Sequence, residues 1–266
     1  HILAKGRVAP GKMFAIDLDA GRIVQDAEIK AQVAAAKPWR EWVAQNLKSL
    51  DDFPDLEHVR HNSASVLLRQ LTFGYTTEEL RVILAPMAAN GAEPLAAMGT
   101  DTPIAALADR PRLLFDYFTQ SFAQVTNPPL DAIREELVTS LGTSIGPDGN
   151  LLALDRVPQT HLALDYPVLS NDQLAKIVNL RDEAGAKYSL KVRGLYRPTG
   201  GESELRARLQ EICEKVSAAV NRGVRYIVLS DRDSSAAWAP IPSLLLTSAV
   251  HHHLLKSSMR TRVSLI

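Results

Sequence analysis

The sequence predicts a soluble α/β domain built on a parallel or mixed sheet with crossover helices. Three observations carry that expectation. Residues 202–220 set Leu205, Leu209, Ile212, Val216 and Val220 at helical spacing. Val224–Ser230 is then almost continuously apolar, the pattern of a strand covered on both faces. Pro242–Leu255 reads as a second helix, leading into a strand over Thr261–Ile266. Helix, strand, helix, strand is the alternation that builds a parallel sheet.

The elements upstream follow from local signals. Residues 12–24 read as a hairpin in which Phe14, Ile16 and Leu18 alternate with polar or small residues, Asp19-Ala20-Gly21 turns, and Arg22-Ile23-Val24 returns. Asp26 opens a helix toward Ala36, with Glu28 at its positive end. Trp39 and Trp42 form a packing anchor, and residues 45–62 read as an irregular connection with a short helix. Thr76 and Glu79 make a capping box; Leu80, Ile83, Leu84 and Met87 form the stripe behind it, and Gly91 stops it. Pro86 should kink that helix or end it early. Further helices are expected over Pro111–Gln124 and over Leu130–Leu141, the latter stopping at Gly142. Short strands are expected at Leu151–Leu154 and His161–Leu164, then a helix near Asn171–Ile177 and a helix stop at Asn221-Arg222-Gly223.

Composition narrows the function classes. The chain has 266 residues, more than the ~100–200 of a typical domain. Thirty basic and thirty acidic residues cancel, so no global field draws it to nucleic acid or to an anionic membrane. No apolar stretch approaches the ~20 residues of a membrane span, and the N-terminus has no signal-peptide pattern, so a cytoplasmic location is expected. The start without Met and the ending inside a strand pattern read as a piece of something longer. Cys213 is the single cysteine, which excludes an intramolecular disulfide, a cysteine-based zinc site or an iron–sulfur cluster held within this chain.

Three places offer chemistry. The loop Met98-Gly99-Thr100-Asp101-Thr102-Pro103 combines a close-approach glycine with hydroxyls and a carboxylate, but lacks the spacing of a phosphate-binding loop and equally fits a helix-capping turn. Ser230-Asp231-Arg232-Asp233 lies at the C-terminal end of a buried strand, where α/β proteins collect ligands, yet two carboxylates beside an arginine more often make a local ion pair or cap. His251-His252-His253 cannot converge on one metal, because successive helical residues diverge by ~100°; one buried and two partly exposed imidazoles are expected. Thr126-Asn127-Pro128-Pro129 forces an extended turn able to reach a neighbouring domain. No nucleophile–base pair, metal cage or dinucleotide fingerprint assembles, so no complete catalytic centre is expected.

Several runs together carry a resemblance. Lys5-Gly6-Arg7 and Pro10-Gly11-Lys12-Met13 precede the hairpin; Phe73-Gly74-Tyr75, Pro86-Met87-Ala88, Glu93-Pro94-Leu95 and Met98–Pro103 follow. Phe115-Asp116-Tyr117-Phe118, Phe122–Asp131, Arg134-Glu135 and Leu229-Ser230-Asp231-Arg232 complete the set. In this order they resemble the large subunit of bacterial glutamate synthase, of actinobacterial type. The resemblance implies that residues 1–24 are the tail of the glutaminase domain and residues 25–266 most of the central domain. It further implies a scaffold, an incomplete barrel-like domain after a short β-hairpin, joining the glutaminase and FMN domains of one chain. The whole enzyme would use FMN, a [3Fe–4S] cluster and electrons from NADPH or another reductant through a small reductase subunit, with none of these cofactors held in this segment. By the same resemblance, Gly99, Thr100, Asp101 and Thr102 face an ammonia tunnel, and Thr126, Asn127, Ser230 and Asp231 contact adjoining domains. Departures from the family pattern are Ala96-Ala97, Lys256-Ser257-Ser258, and Ser264 where glycine is expected.

Overall fold

A computed structural model describes residues 1–2, 5–57, 63–95, 101–118, 126, 129–148, 150, 152, 159–181 and 185–266. The hairpin forms as read: β1 (Ala15–Asp17) and β2 (Arg22–Val24) pair antiparallel with Asp17 opposite Arg22. Helix α1 (Asp26–Ala35) follows, then α2 (Trp39–Asn46) and β3 (Leu47–Ser49). Asp26 ties α1 back to the hairpin, accepting from the Met13 amide at 3.0 Å and pairing with Lys12 and Lys30.

Helix α3 (Val66–Thr72) precedes the capping box, where the Glu79 amide donates to Thr76 Oγ1 and the Thr76 amide to the Glu79 carboxylate. Pro86 does not end this helix early. A π-helical stretch, Glu79–Leu84, runs into α4 (Ala85–Asn90), and the Ala85 amide reaches back to the Leu80 carbonyl. The wider turn ahead of Pro86 accommodates its missing N–H. Gly91 stops the helix in the left-handed conformation (φ 63°).

The expected helix over 111–124 is not found in its described part, which holds one 3-10 turn at Leu114–Tyr117 before Phe118 turns extended; residues 119–125 lie outside the described set. Helix α5 (Ala132–Val138) is shorter than expected: Asp131 caps Ile133 and Arg134, and Thr139 is already extended. Of the strand expected at 151–154, Leu152 is described and sits in a turn.

Strands β4 (Thr143–Ile145) and β5 (His161–Leu164) join β3 in the order β3-β5-β4, with β3 parallel and β4 antiparallel to β5. Helix α6 (Asn171–Val178) starts at a capping box between Ser170 and Gln173. Next come β6 (Ser189–Arg193), β7 (Leu195–Tyr196), α7 (Gly201–Asn221), β8 (Tyr226–Ser230), β9 (Ala239–Pro240), α8 (Ser243–Lys256) and β10 (Ser264–Leu265). Strands β10, β8 and β6 form a parallel sheet in that order, crossed by α7 and α8, so the α/β class holds. The described strands close no barrel.

The apolar run of β8 is explained by its two faces. Ile227 packs with Val192, Val263, Ile212 and Val216 of α7, and Leu246 and Val250 of α8. Tyr226 and Val228 point the other way, into Leu50, Leu162, Leu164 and Ile177. Each fully buried aliphatic side chain contributes roughly 1.5–3 kcal/mol as an upper bound. Ser264, the departure from the expected glycine, clasps the two sheets: its Oγ accepts from the Gly146 amide at 2.8 Å and donates to the Gly146 carbonyl at 3.0 Å.

The first half packs differently. Of the apolar residues described before residue 140, only Val24, Leu50 and Ala105 are buried. The hairpin exposes Leu18 at 86%, and α5 exposes Ile133 and Leu137 at 80% and 83%.

Candidate functional site

The residues with most chemistry gather at the C-terminal edge of the parallel sheet. The register sets Arg193, the last residue of β6, opposite Ser230, the last of β8. Ser230 is buried, and its carbonyl accepts from the Gly194 amide at 2.7 Å. Gly194 has no room for a side chain, because a Cβ there would overlap Leu246. β7 then pairs antiparallel with β9, Leu195 opposite Pro240, which draws the 231–240 loop back over the strand end. Trp238 is held in that loop by the Ser235–Trp238 bridge, and the guanidiniums of Arg193 and Arg197 lie 4.7 and 4.9 Å from its ring centroid. Arg208 of α7 fixes the backbone beneath, donating to the carbonyls of Arg193 and Leu195.

Arg232 makes no ion pair with Asp231 or Asp233 among the described residues, contrary to the local pairing that sequence favours. Its guanidinium donates instead to Asn171 Oδ1 at 2.7 Å, at the start of α6. Asp233 takes a left-handed backbone (φ 69°), which aims the chain away before an ion pair can form. A cavity of about 100 Å³ opens here, lined by Glu57, Asn171, Leu174, Val178, Lys191 and Arg232. Lys191, Arg193, Arg197 and Trp238 carried no sequence signal beyond residue type, since only the strand register and the β7–β9 turn bring them together.

The other candidates are placed less tightly. Asp101 and Thr102 lie in exposed irregular chain ahead of the 3-10 turn Ala105–Leu107, and Thr126 is exposed. Gly99, Thr100 and Asn127 lie outside the described residues. The histidine run differs from expectation, because none of the three is buried. His251 accepts from Arg260, His252 is exposed, and His253 Nε2 sits 2.6 Å from Ser217 Oγ between α7 and α8. Among the described residues no carboxylate is bonded to the other nitrogen of His253, so this serine–histidine pair lacks there the orienting group of a nucleophilic triad.

Cys213 is buried, its thiol directed at the Ala249 carbonyl, and burial raises its pKa. A lone protonated thiol in a helix interface does not fit the thiolate ligands of an iron–sulfur cluster. Tyr226 is pushed up to about 12 by burial, which keeps its phenol neutral in the core. Among the described residues no group of histidine, cysteine, aspartate and glutamate could hold a metal ion, and no helix is long and apolar enough to cross a membrane. Among the described residues the arrangement gathers cations at one strand end and assembles no acid–base or nucleophilic pair with an orienting group.

Residues 68–266 match the glutamate synthase central domain, and residues 1–42 match the class-II glutamine amidotransferases. Over its full length the chain is 39% identical to the glutamate synthase [NADPH] large chain of Bacillus subtilis, covering 17% of that protein. It is 38% identical to the large chain of Azospirillum brasilense and 37% identical to the ferredoxin-dependent glutamate synthase of Spinacia oleracea, covering 18% and 16% of them. The chain therefore spans less than a fifth of the length of these relatives. With the match running from α3 through β10, the chain belongs to the glutamate synthase central domain family.

Proposed function

We propose that the chain works as the non-catalytic link of a glutamate synthase, the enzyme that converts L-glutamine, 2-oxoglutarate and reductant into two L-glutamates. Its task is to hold a glutaminase site and a flavin site apart while ammonia passes between them. The observation that carries this reading is the uncovered apolar surface of the first half. Leu18, Ile133 and Leu137 are each at least 80% exposed. A hairpin with Phe14, Ile16 and Leu18 exposed is a surface made for other domains of the same polypeptide.

On this reading residues 1–24 end the glutaminase domain and residues 25–266 form the central domain. Thr126, Asn127, Ser230 and Asp231 meet adjoining domains, and the loop Gly99-Thr100-Asp101-Thr102 borders the ammonia path. Hydroxyl and apolar side chains suit passage of a neutral solute, because they neither protonate it nor hold it as an ion. FMN and a [3Fe–4S] cluster belong to other segments, since Cys213 is the chain's one cysteine and is enclosed. NADPH or another reductant would reach the flavin through a reductase partner, and the assembly would work in the cytoplasm.

The test is Thr102→Val in the full-length enzyme. Glutamine hydrolysis should continue while glutamine-dependent glutamate formation falls, and synthesis from added ammonia should persist. Equal loss of both syntheses would remove Thr102 from the path.

A further inference from the structure

We propose that the cavity between α6 and β6 is a binding site for an acidic α-amino acid, a ligand with two carboxylates and one ammonium group. The cavity runs along α6 from Asn171 to Asn179, against Lys191 in the middle of the edge strand β6, with Arg232 beyond the end of β8. At about 100 Å³ it excludes a nucleotide or a flavin and admits a small metabolite.

Its lining sets the charge of that metabolite. Lys191 and Arg232 supply two cations, Glu57 one carboxylate, and Leu174 and Val178 an apolar floor. Although they share one cavity, none of the three charged groups forms an ion pair among the described residues, so each keeps its capacity for a ligand. Arg232 is oriented through Asn171 Oδ1, which leaves the rest of its planar fork for a carboxylate.

The segment that leads to Glu57 is tied to α6 through Lys176. Lys176, with its side chain 10% exposed, donates to the Leu50 carbonyl at 3.2 Å and pairs with Asp55 at 3.0 Å. That clamp fastens the 50–55 segment across α6, two residues before Glu57. Two cations and one anion match two carboxylates and one ammonium. A plain dicarboxylate would set a like charge against Glu57, and a neutral amino acid would leave one cation unmatched. This site does not rest on the linking role proposed above, and it uses none of the residues assigned to the ammonia path.

Hydrogen exchange read by mass spectrometry tests it in the full-length polypeptide, with L-glutamate as the probe and L-aspartate, L-glutamine, succinate and inorganic phosphate as comparisons. The peptide-level readout at residues 171–179 and 189–193 separates this cavity from any catalytic site elsewhere in the polypeptide. Millimolar L-glutamate and L-aspartate should slow exchange there, and L-glutamine and succinate should do so more weakly. Arg232→Gln and Lys191→Gln should each weaken the effect roughly tenfold. Glu57→Gln should erase the preference for glutamate over succinate, while unchanged exchange in α7 reports an intact fold. Protection by phosphate equal to that by glutamate would reduce the site to a general anion patch and overturn the proposal. So would absence of protection, or protection unaltered by Arg232→Gln.

Discussion

Gly194→Ala should loosen the strand edge on which Arg193, Ser230 and Arg232 are mounted. The Gly194 backbone is not left-handed, so alanine meets no dihedral penalty and gains roughly 0.4–1 kcal/mol from a less flexible unfolded chain. Against that, the new Cβ overlaps Leu246 Cδ2 and comes 3.3 Å from the Ser230 carbonyl oxygen. Leu246 is 2% exposed inside the core of α7, α8 and the sheet, so it has little space to retreat into. Overpacking of this kind costs about 1–3 kcal/mol, which leaves a net loss of about 1–2 kcal/mol. Leu246→Ala alone should cost about 2–5 kcal/mol by leaving a cavity. In the double variant the cavity receives the new methyl group, so the summed cost should fall short by about 1–2 kcal/mol. Native-state hydrogen exchange of peptides over residues 189–196 and 226–230 measures these openings locally. Additivity within about 0.5 kcal/mol would refute the overlap as the reason for glycine.

Ser264→Ala removes both hydrogen bonds of the clasp to Gly146 and should weaken protection of residues 143–148 by about 1–2 kcal/mol, leaving α7 unaffected; exchange over those two regions checks it. Asp26 is held at about 2, first by the Met13 amide and then by Lys30 and Lys12. Its folded pKa is depressed, so its stabilisation is present above the unfolded value near 4 and lost as pH falls through about 2. Titrating the Met13 amide by NMR from pH 6 to pH 2 should therefore show the hairpin–α1 tie releasing only at the acid end, and release at pH 5 would contradict it. Cys213 should resist iodoacetamide until the chain is denatured, because burial raises its pKa and α8 covers it; alkylation of the native protein at the free-thiol rate would count against that placement.

Legibility followed the location of the packing partner. Glu202–Val220, Val224–Ser230 and Pro242–Leu255 bury their apolar faces against one another, so periodicity located α7, β8 and α8 to within two residues at most ends. Capping chemistry is local, and Thr76, Glu79 and Gly91 behaved as read. The stripe of Leu114, Tyr117 and Phe118 also satisfied a helical template, but Phe115, Tyr117 and Phe118 are more than half exposed and the chain makes only a 3-10 turn. Periodicity measures a face, and a face alone does not supply the tertiary packing that holds a short helix.

The site divides in the same way. The strand end at Ser230 was legible as the close of an apolar run, whereas the grouping of Arg193, Arg197 and Trp238 depends on register and on a two-residue antiparallel pairing that no local pattern announces. This asymmetry bears on the linking role proposed above. Such a link needs a rigid part and a part shaped by its neighbours. Here the rigid part is the α7–β8–α8 core, with Ile227, Val216, Val250 and Leu254 almost wholly enclosed. The other part carries the exposed Leu18, Ile133 and Leu137, which an adjoining domain would bury in that role. Coupling distant sites through such a segment needs its ordering to depend on both neighbours, which is a thermodynamic link that requires no catalytic side chain of its own.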